Sequence, residues 1–141
     1  MPHTGTFPLF WIPLLPLLGA AINLLFGRSL GRRAVHLVGC GAILGALAVV
    51  GWAVYAHLVP LWRVAVSGAD EAAAPALTAS LFDWIQAGNV DIRLGLLLDP
   101  LSAVMTLVIT FVGFLIHVYS TGYMAHDADF ARFFGYLNLF T

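Results

Sequence analysis

There is not one lysine in this chain, and only six arginines and seven acidic residues are spread over its 141 positions. Charged residues make up 9% of the sequence, against roughly a quarter in an ordinary soluble domain, and this excludes a soluble globular fold. No basic run exists, so nucleic acid is excluded as a partner class. Cysteine is nearly absent as well. The single Cys40 rules out an internal disulfide, a CxxC pair and a self-contained iron–sulfur site, and among its glycine and alanine neighbours it reads as a packing residue. Positive charge is missing ahead of the first apolar stretch. The first charge is Arg28, after it, which is the wrong order for a secretory signal and predicts a permanent first helix with its N-terminus outside.

What remains is 61% hydrophobic. Charge-free stretches run from Met1 to Gly27, Ala34 to Trp62 and Pro100 to His126, each with the roughly 20 apolar residues a membrane-spanning helix needs. The expected fold is an all-α transmembrane protein of three full helices and the start of a fourth, with a small β-hairpin in an outer loop. The helices are expected over about 8–26, 35–58, 100–119 and 130–141, and the outer loop with its hairpin over about 59–95. A ten-residue fourth helix rises only about 15 Å, half a bilayer core. Residues 1–141 therefore read as the N-terminal membrane module of something larger.

Pro8 suits the start of the first helix, while Pro13 and Pro16 remove backbone donors and predict bending in its first turns. The link from Gly27 to Arg33 carries three arginines and is placed on the cytoplasmic side by the positive-inside rule. With Arg132, four arginines lie inside against Arg63 and Arg93 outside, which places the hairpin outside. In the second helix Gly41 and Gly45 form a GxxxG pair beside Gly39, Ala42 and Ala46, a face suited to close helix packing. Trp62 and Trp84 suit an aromatic belt at the outer surface.

After Ala79 apolar residues alternate, Phe82 and Trp84 sharing one face and Val90, Ile92 and Leu94 another. A hairpin with a three-residue turn at Ala87 to Asn89, Asn89 left-handed, sets Trp84 opposite Ile92, Phe82 opposite Leu94 and Asp83 opposite Arg93. Two- or four-residue turns would oppose Trp84 or Phe82 to a charged residue. An isolated hairpin is marginal in water, so its apolar face predicts a covering neighbour.

The third helix carries the chemistry-bearing residues. Asp99 is its expected N-cap and Pro100 its first helical position. Asp99, Ser102, Thr106, Thr110, Gly113 and His117 recur at spacings of three and four, on one face with a carboxylate and an imidazole at opposite ends. Such a stripe orders water and passes protons, or it packs and hydrogen-bonds against neighbouring helices; both readings stand. His126, Asp127 and Asp129 read as a solvated turn, and no metal site, haem ligand pair, phosphate loop or nucleophile–base arrangement is recognisable.

Composition and spacing describe the front end of a multi-helix membrane protein. The stretch LLLDPLSAVMTLVITFVGFLIHVYSTGYM, followed by ARFFGYLNLF, resembles the N-terminal region of the L subunit of bacterial proton-pumping NADH:quinone oxidoreductase, respiratory complex I, whose mitochondrial counterpart is chain 5. The resemblance is most specific over Leu96 to Phe140. It implies an antiporter-like membrane-arm subunit built from inverted helix repeats, contributing to proton translocation driven by quinone reduction elsewhere. It implies no cofactor in this chain, with NADH, FMN, iron–sulfur clusters and quinone held by other subunits, and no hydride-transfer catalysis here. Other membrane subunits of the complex, related antiporter-like ones above all, and the lipid bilayer are the implied partners, in a bacterial inner membrane rather than a mitochondrial one.

The family's principal proton-handling residues are a glutamate in the helix after the fourth and lysines further on. Neither lies in this chain, whose one glutamate is Glu71. Asp99, His117, Tyr123, Arg132 and Asn138 stand at matching positions without thereby gaining a role. The large subunit of multisubunit sodium/proton antiporters shares the module and is the alternative, as is a non-transporting scaffold that uses the hairpin to bridge partners.

Overall fold

The computed structural model describes residues 9–66, 76–87 and 90–141. The chain is mostly helical with one two-stranded antiparallel sheet. Its described residues divide into two compact units, one of residues 11–50 with 106–141 and one of residues within 51–105 with residues 9 and 10.

In the first unit, α1 (Trp11–Ala53) is two helical arms, residues 11–30 and 32–53, meeting at Gly31. There is no seven-residue link. Only Gly31 leaves helical geometry, at φ 77° and ψ 161°, a region open essentially to glycine alone. One such residue reverses the chain, and the arms run back along each other. Gly19 meets Ala42, Leu15 lies under Gly45, and Asn23 Nδ2 donates to Val35 O at 3.4 Å. Pro13 and Pro16 are accommodated with helical geometry throughout the first arm. Small and slender residues line the contact: Pro16, Gly19, Ala20, Asn23 and Gly27 on one arm, Val35, Gly39, Ile43, Ala46 and Val50 on the other, all buried at helical spacing. The close-packing face thus includes Gly39 and Gly45 but not the expected Gly41, where an added Cβ would meet nothing within 4 Å.

α3 (Pro100–Tyr123) extends one turn beyond expectation, and α4 (Phe130–Phe140) starts where the sequence placed it. α4 packs through Ala131 on Gly27 and Phe134 on Gly39, around a core of Val35, Ala131 and Phe134 that Cys40, Phe130 and Phe133 flank. Cys40 is indeed a packing residue there. The turn between α3 and α4 is held by Arg32. Its guanidinium donates to Ala125 O and, at 3.1 Å, to Asp127 O, and it lies 5.2 Å from the centre of the Phe130 ring. His126, Asp127 and Asp129 are exposed, as a solvated turn requires.

In the second unit the helix does not end at Leu58. It widens into a π-turn, Val54–Leu58, with Val59 N–H donating to Val54 O, and continues as α2 (Val59–Val66). Pro60 explains this: its ring would clash with the carbonyl four residues back, and the wider turn relieves the clash so that the helix passes through. Residues 67–75 and the side chains of His57 and Trp62 lie outside the described residues.

The hairpin forms from β1 (Leu77–Ala87) and β2 (Val90–Leu98). Phe82 pairs with Leu94 and Asp83 with Arg93, as expected. Trp84 does not pair with Ile92; Ile85 does, and Ala87 pairs with Val90. Register shifts fall between Ser80 and Phe82 and between Asp83 and Ile85, where two residues of β1 oppose one of β2. These bulges let the expected charged pair coexist with a closure two residues long, a combination that a regular ladder forbids. Gly88 and Asn89 themselves lie outside the described residues. Trp84, Ile85, Ile92, Leu94 and Leu97 are exposed along the hairpin.

Candidate functional site

The polarity of α3 is inverted relative to a helix of a soluble protein. Its buried face is the polar one. Ala103, Thr110, Gly113, His117 and Ser120 are buried, while Val104, Met105, Val108, Phe111, Val112, Leu115, Ile116 and Val118 face outward. An apolar exterior around a polar stripe is what a lipid surround selects. α3 and the helix starting at Trp11 are both long and apolar enough to cross a membrane.

At the head of α3, Asp99 and Ser102 cap the helix reciprocally. The Ser102 amide donates to Asp99 Oδ1 at 2.8 Å and the Asp99 amide donates to Ser102 Oγ at 2.9 Å. The Ser102 hydroxyl also donates to Asp99 O at 3.1 Å. Two otherwise orphaned helix donors are satisfied, and Pro100 supplies the first helical residue without a donor to satisfy. The Ser102 hydroxyl first, and its amide second, hold the Asp99 carboxyl below the ordinary carboxylate range.

Further along, Thr110 bonds back to its own helix. Its hydroxyl donates to Thr106 O at 2.7 Å and lies 3.3 Å from Leu107 O. The hydroxyl is thereby committed to the backbone, the packing use of such a residue.

His117 is different. It is fully buried, with Nδ1 2.7 Å from Gly113 O and Nε2 3.2 Å from Asn138 Oδ1 of α4. The Phe134 ring lies 6.1 Å away, and His36 of α1 lies 5.0 Å from that same ring. Asn138 is 1% exposed and Asn23, from the first arm of α1, is also 1% exposed. Both amide nitrogens come within 3.5 Å of the point that a Cβ on Gly39 would occupy. The first unit therefore holds a buried polar nucleus of His117, Asn138 and Asn23 around Gly39, drawn from α1, α3 and α4.

Of the residues expected along the stripe, the fold places Asp99 and Ser102 in a cap, Thr110 on its own backbone and His117 in an inter-helix bond; Thr106 accepts from Thr110 through its carbonyl. Asn23 was not singled out in the sequence. Its one signal is a lone amide inside an otherwise apolar run, at a buried helical position. Tyr123 is exposed and stacks on Tyr119 at 6.0 Å, and Arg132 pairs with Asp129 at 3.6 Å on the surface. Among the described residues no group of three potential metal ligands comes together.

Residues 84–134 match the family model described as NADH-ubiquinone oxidoreductase (complex I), chain 5 N-terminus. NADH-quinone oxidoreductase subunit L of Mycobacterium tuberculosis is 45% identical over 139 residues, covering 96% of this chain and 20% of the relative. The chloroplastic NAD(P)H-quinone oxidoreductase subunit 5 of Zygnema circumcarinatum is 36% identical over 130 residues, and subunit L of Neisseria meningitidis serogroup B is 34% identical over 132 residues, each over 92% of this chain. The chain spans about a fifth of the length of these curated relatives. Over more than nine-tenths of its length the chain is similar to the N-terminal part of the subunit L/chain 5 family of NADH-quinone oxidoreductases.

Proposed function

We propose that this chain forms the N-terminal membrane module of an antiporter-like subunit that contributes to proton translocation in NADH:quinone oxidoreductase. The observation that carries the reading is the inverted polarity of α3, with a histidine bonded across helices inside an apolar exterior. The arms of α1 and α3 lie across the bilayer, α4 begins the next crossing, and the N-terminus and hairpin face the outer side of a bacterial inner membrane. The exposed apolar side chains of the hairpin meet a neighbouring membrane subunit, an antiporter-like one. Redox chemistry belongs to other subunits; here the role is to frame a proton channel whose acidic and lysine residues lie in other parts of the subunit. The names of the relatives favour this over the sodium/proton antiporter.

Within this frame, the stripe of Asp99, Ser102, Thr106, Thr110 and His117 is one wall of a water-accessible path, with His117 its proton-exchanging member. The test uses the assembled complex in proteoliposomes. Removing the subunit lowers the protons moved per electron delivered to quinone, and an unchanged ratio overturns the role. His117→Gln in the complete subunit lowers the same ratio, and unchanged pumping removes His117 from the path.

A further inference from the structure

The two nitrogens of His117 meet acceptors of different kinds. Nδ1 lies 2.7 Å from Gly113 O, a backbone carbonyl one turn back on the same helix, which can only accept. Nδ1 therefore keeps its hydrogen whether the ring is charged or neutral. Nε2 lies 3.2 Å from Asn138 Oδ1 of α4, and an amide has an acceptor at one end and a donor at the other. Nε2 alone faces a side chain that suits both charge states.

The condition of that amide supports the point. Asn138 is 1% exposed, and its Nδ2 is buried without a hydrogen-bond partner among the described residues. With Oδ1 toward the ring the bond is Nε2–H to oxygen, which together with the Nδ1 bond describes an imidazolium. A half-turn of the amide brings Nδ2–H to Nε2 instead, where it meets the lone pair of a neutral ring and gains the partner it lacks. A mismatch in either state leaves a buried polar atom unpaired, which is costly, so the amide follows the ring.

The surroundings offer the ring no competing proton partner. From α4, Phe134 stands 6.1 Å away, and Thr141, which crowds Gly113, donates its hydroxyl to Leu137 O at 2.9 Å. From α1, His36 lies 5.0 Å from the Phe134 ring and Cys40 packs against the same core. Arg32 is bonded to Ala125 O and Asp127 O, and Arg132 pairs with Asp129 at the surface. Among the described residues no carboxylate or guanidinium is bonded to His117 or Asn138.

We infer that Nε2, on the side of α4, is the one atom through which His117 takes up and releases its proton, and that Asn138 is its positioning residue, turning its amide with each exchange. This deepens the proton-path reading and rests on it. The step is a proton transfer alone. A proton from water joins the Nε2 lone pair as the bond from Nδ2–H gives way to one from Nε2–H to Oδ1, and it later returns to water.

The test reads the ring rather than pumping. Membranes holding the whole complex, labelled with 15N-histidine, are titrated by solid-state NMR, and the His117 signals are the difference between wild type and His117→Gln. As pH rises through the midpoint, Nε2 alone loses its hydrogen and the neutral ring is the Nδ1–H tautomer. A neutral ring with its hydrogen on Nε2, or a ring that keeps one charge state across the histidine range, overturns the inference. Asn138→Asp, an acceptor at both ends, raises the midpoint by about one pH unit, and an unmoved midpoint overturns the role of Asn138.

Should the aspartate variant fail to assemble, labelling asparagine as well as histidine in the wild type decides. Close proximity of the Asn138 Nδ2 hydrogens to Nε2 appears only above the midpoint; a proximity equal on both sides of it overturns the turning amide. The two readings fail separately. Unchanged pumping in His117→Gln withdraws the path whatever the ring signals show, and the wrong tautomer withdraws this exchange even where pumping falls.

Discussion

His117 Nε2 sits 3.2 Å from Asn138 Oδ1, and this bond joins α3 to α4. In a lipid surround the hydrophobic drive between helices is weak, so inter-helix hydrogen bonds and close approach decide which helices stay together. The same cluster supplies both, because the approach of α4 to α1 runs over Gly39 beside the two amides.

Two glycines of one helix should therefore respond oppositely. A Cβ on Gly39 would lie 2.8 Å from Phe134 Cδ1, whereas one on Gly41 meets nothing within 4 Å. Gly39→Ala is expected to destabilise by about 1–3 kcal/mol through overpacking, and Gly41→Ala to be neutral or slightly stabilising. Thermal inactivation of the assembled complex measures both; equal midpoints would contradict the packing described.

Gly31→Ala tests the chain reversal in α1. No neighbour crowds the position, so the whole effect comes from forcing φ 77° on a residue with a Cβ. A cost of about 1–3 kcal/mol is expected, read as a lowered midpoint, and Gly31→Asn should recover none of it, since asparagine's tolerance of positive φ is confined to the left-handed helical region. A Gly31→Ala variant as stable as wild type would mean that the reversal is made elsewhere.

The Asp99 cap predicts a pH dependence. Its carboxyl is held below the usual range by Ser102, so the cap contributes fully above the ordinary aspartate range, near about pH 4, and is lost as pH falls through the lowered value. Amide exchange at Ser102 should therefore accelerate only at acid pH in the wild type. It should be fast at every pH in Asp99→Ala and largely restored in Asp99→Asn. Exchange that does not change in Asp99→Ala would dismiss the cap.

Arg32 predicts the behaviour of the turn between α3 and α4. Its two bonds to carbonyls and its place over Phe130 need a planar fork, which lysine lacks. Both Arg32→Ala and Arg32→Lys should speed protease cleavage between Met124 and Asp129, roughly 3–10-fold for a loss of about 1 kcal/mol. Cleavage rescued fully by lysine would reduce the contact to charge alone.

What the sequence disclosed follows from how local each determinant is. Asp99-Pro100 announced the start of α3 because the cap closes within three residues, and the stripe through Thr110 to His117 was legible because helix period alone fixes a face. The pairing of Asp83 with Arg93 came from matching charge to register, whereas the bulge at Trp84 has no local signature. Gly31 was hidden by its arginine neighbours, which mark a membrane boundary as readily as a loop. The continuation of the helix past Leu58 was not legible because a π-turn that absorbs a proline cannot be told from a helix end in a string of letters. Asn23 stayed silent because its bond to Val35 O and its place beside Gly39 exist only once the two arms of α1 fold back on each other.

The reversal at Gly31 also orders events during synthesis. The contacts of Leu15 with Gly45, Gly19 with Ala42 and Asn23 with Val35 all join residues within the first fifty, so that hairpin can form long before α4 leaves the ribosome. Until then Asn23 keeps its long bond to Val35 O, and the slot beside Gly39 stands open. A nascent chain arrested before α4 would thus display a helical pair with one unfilled polar notch.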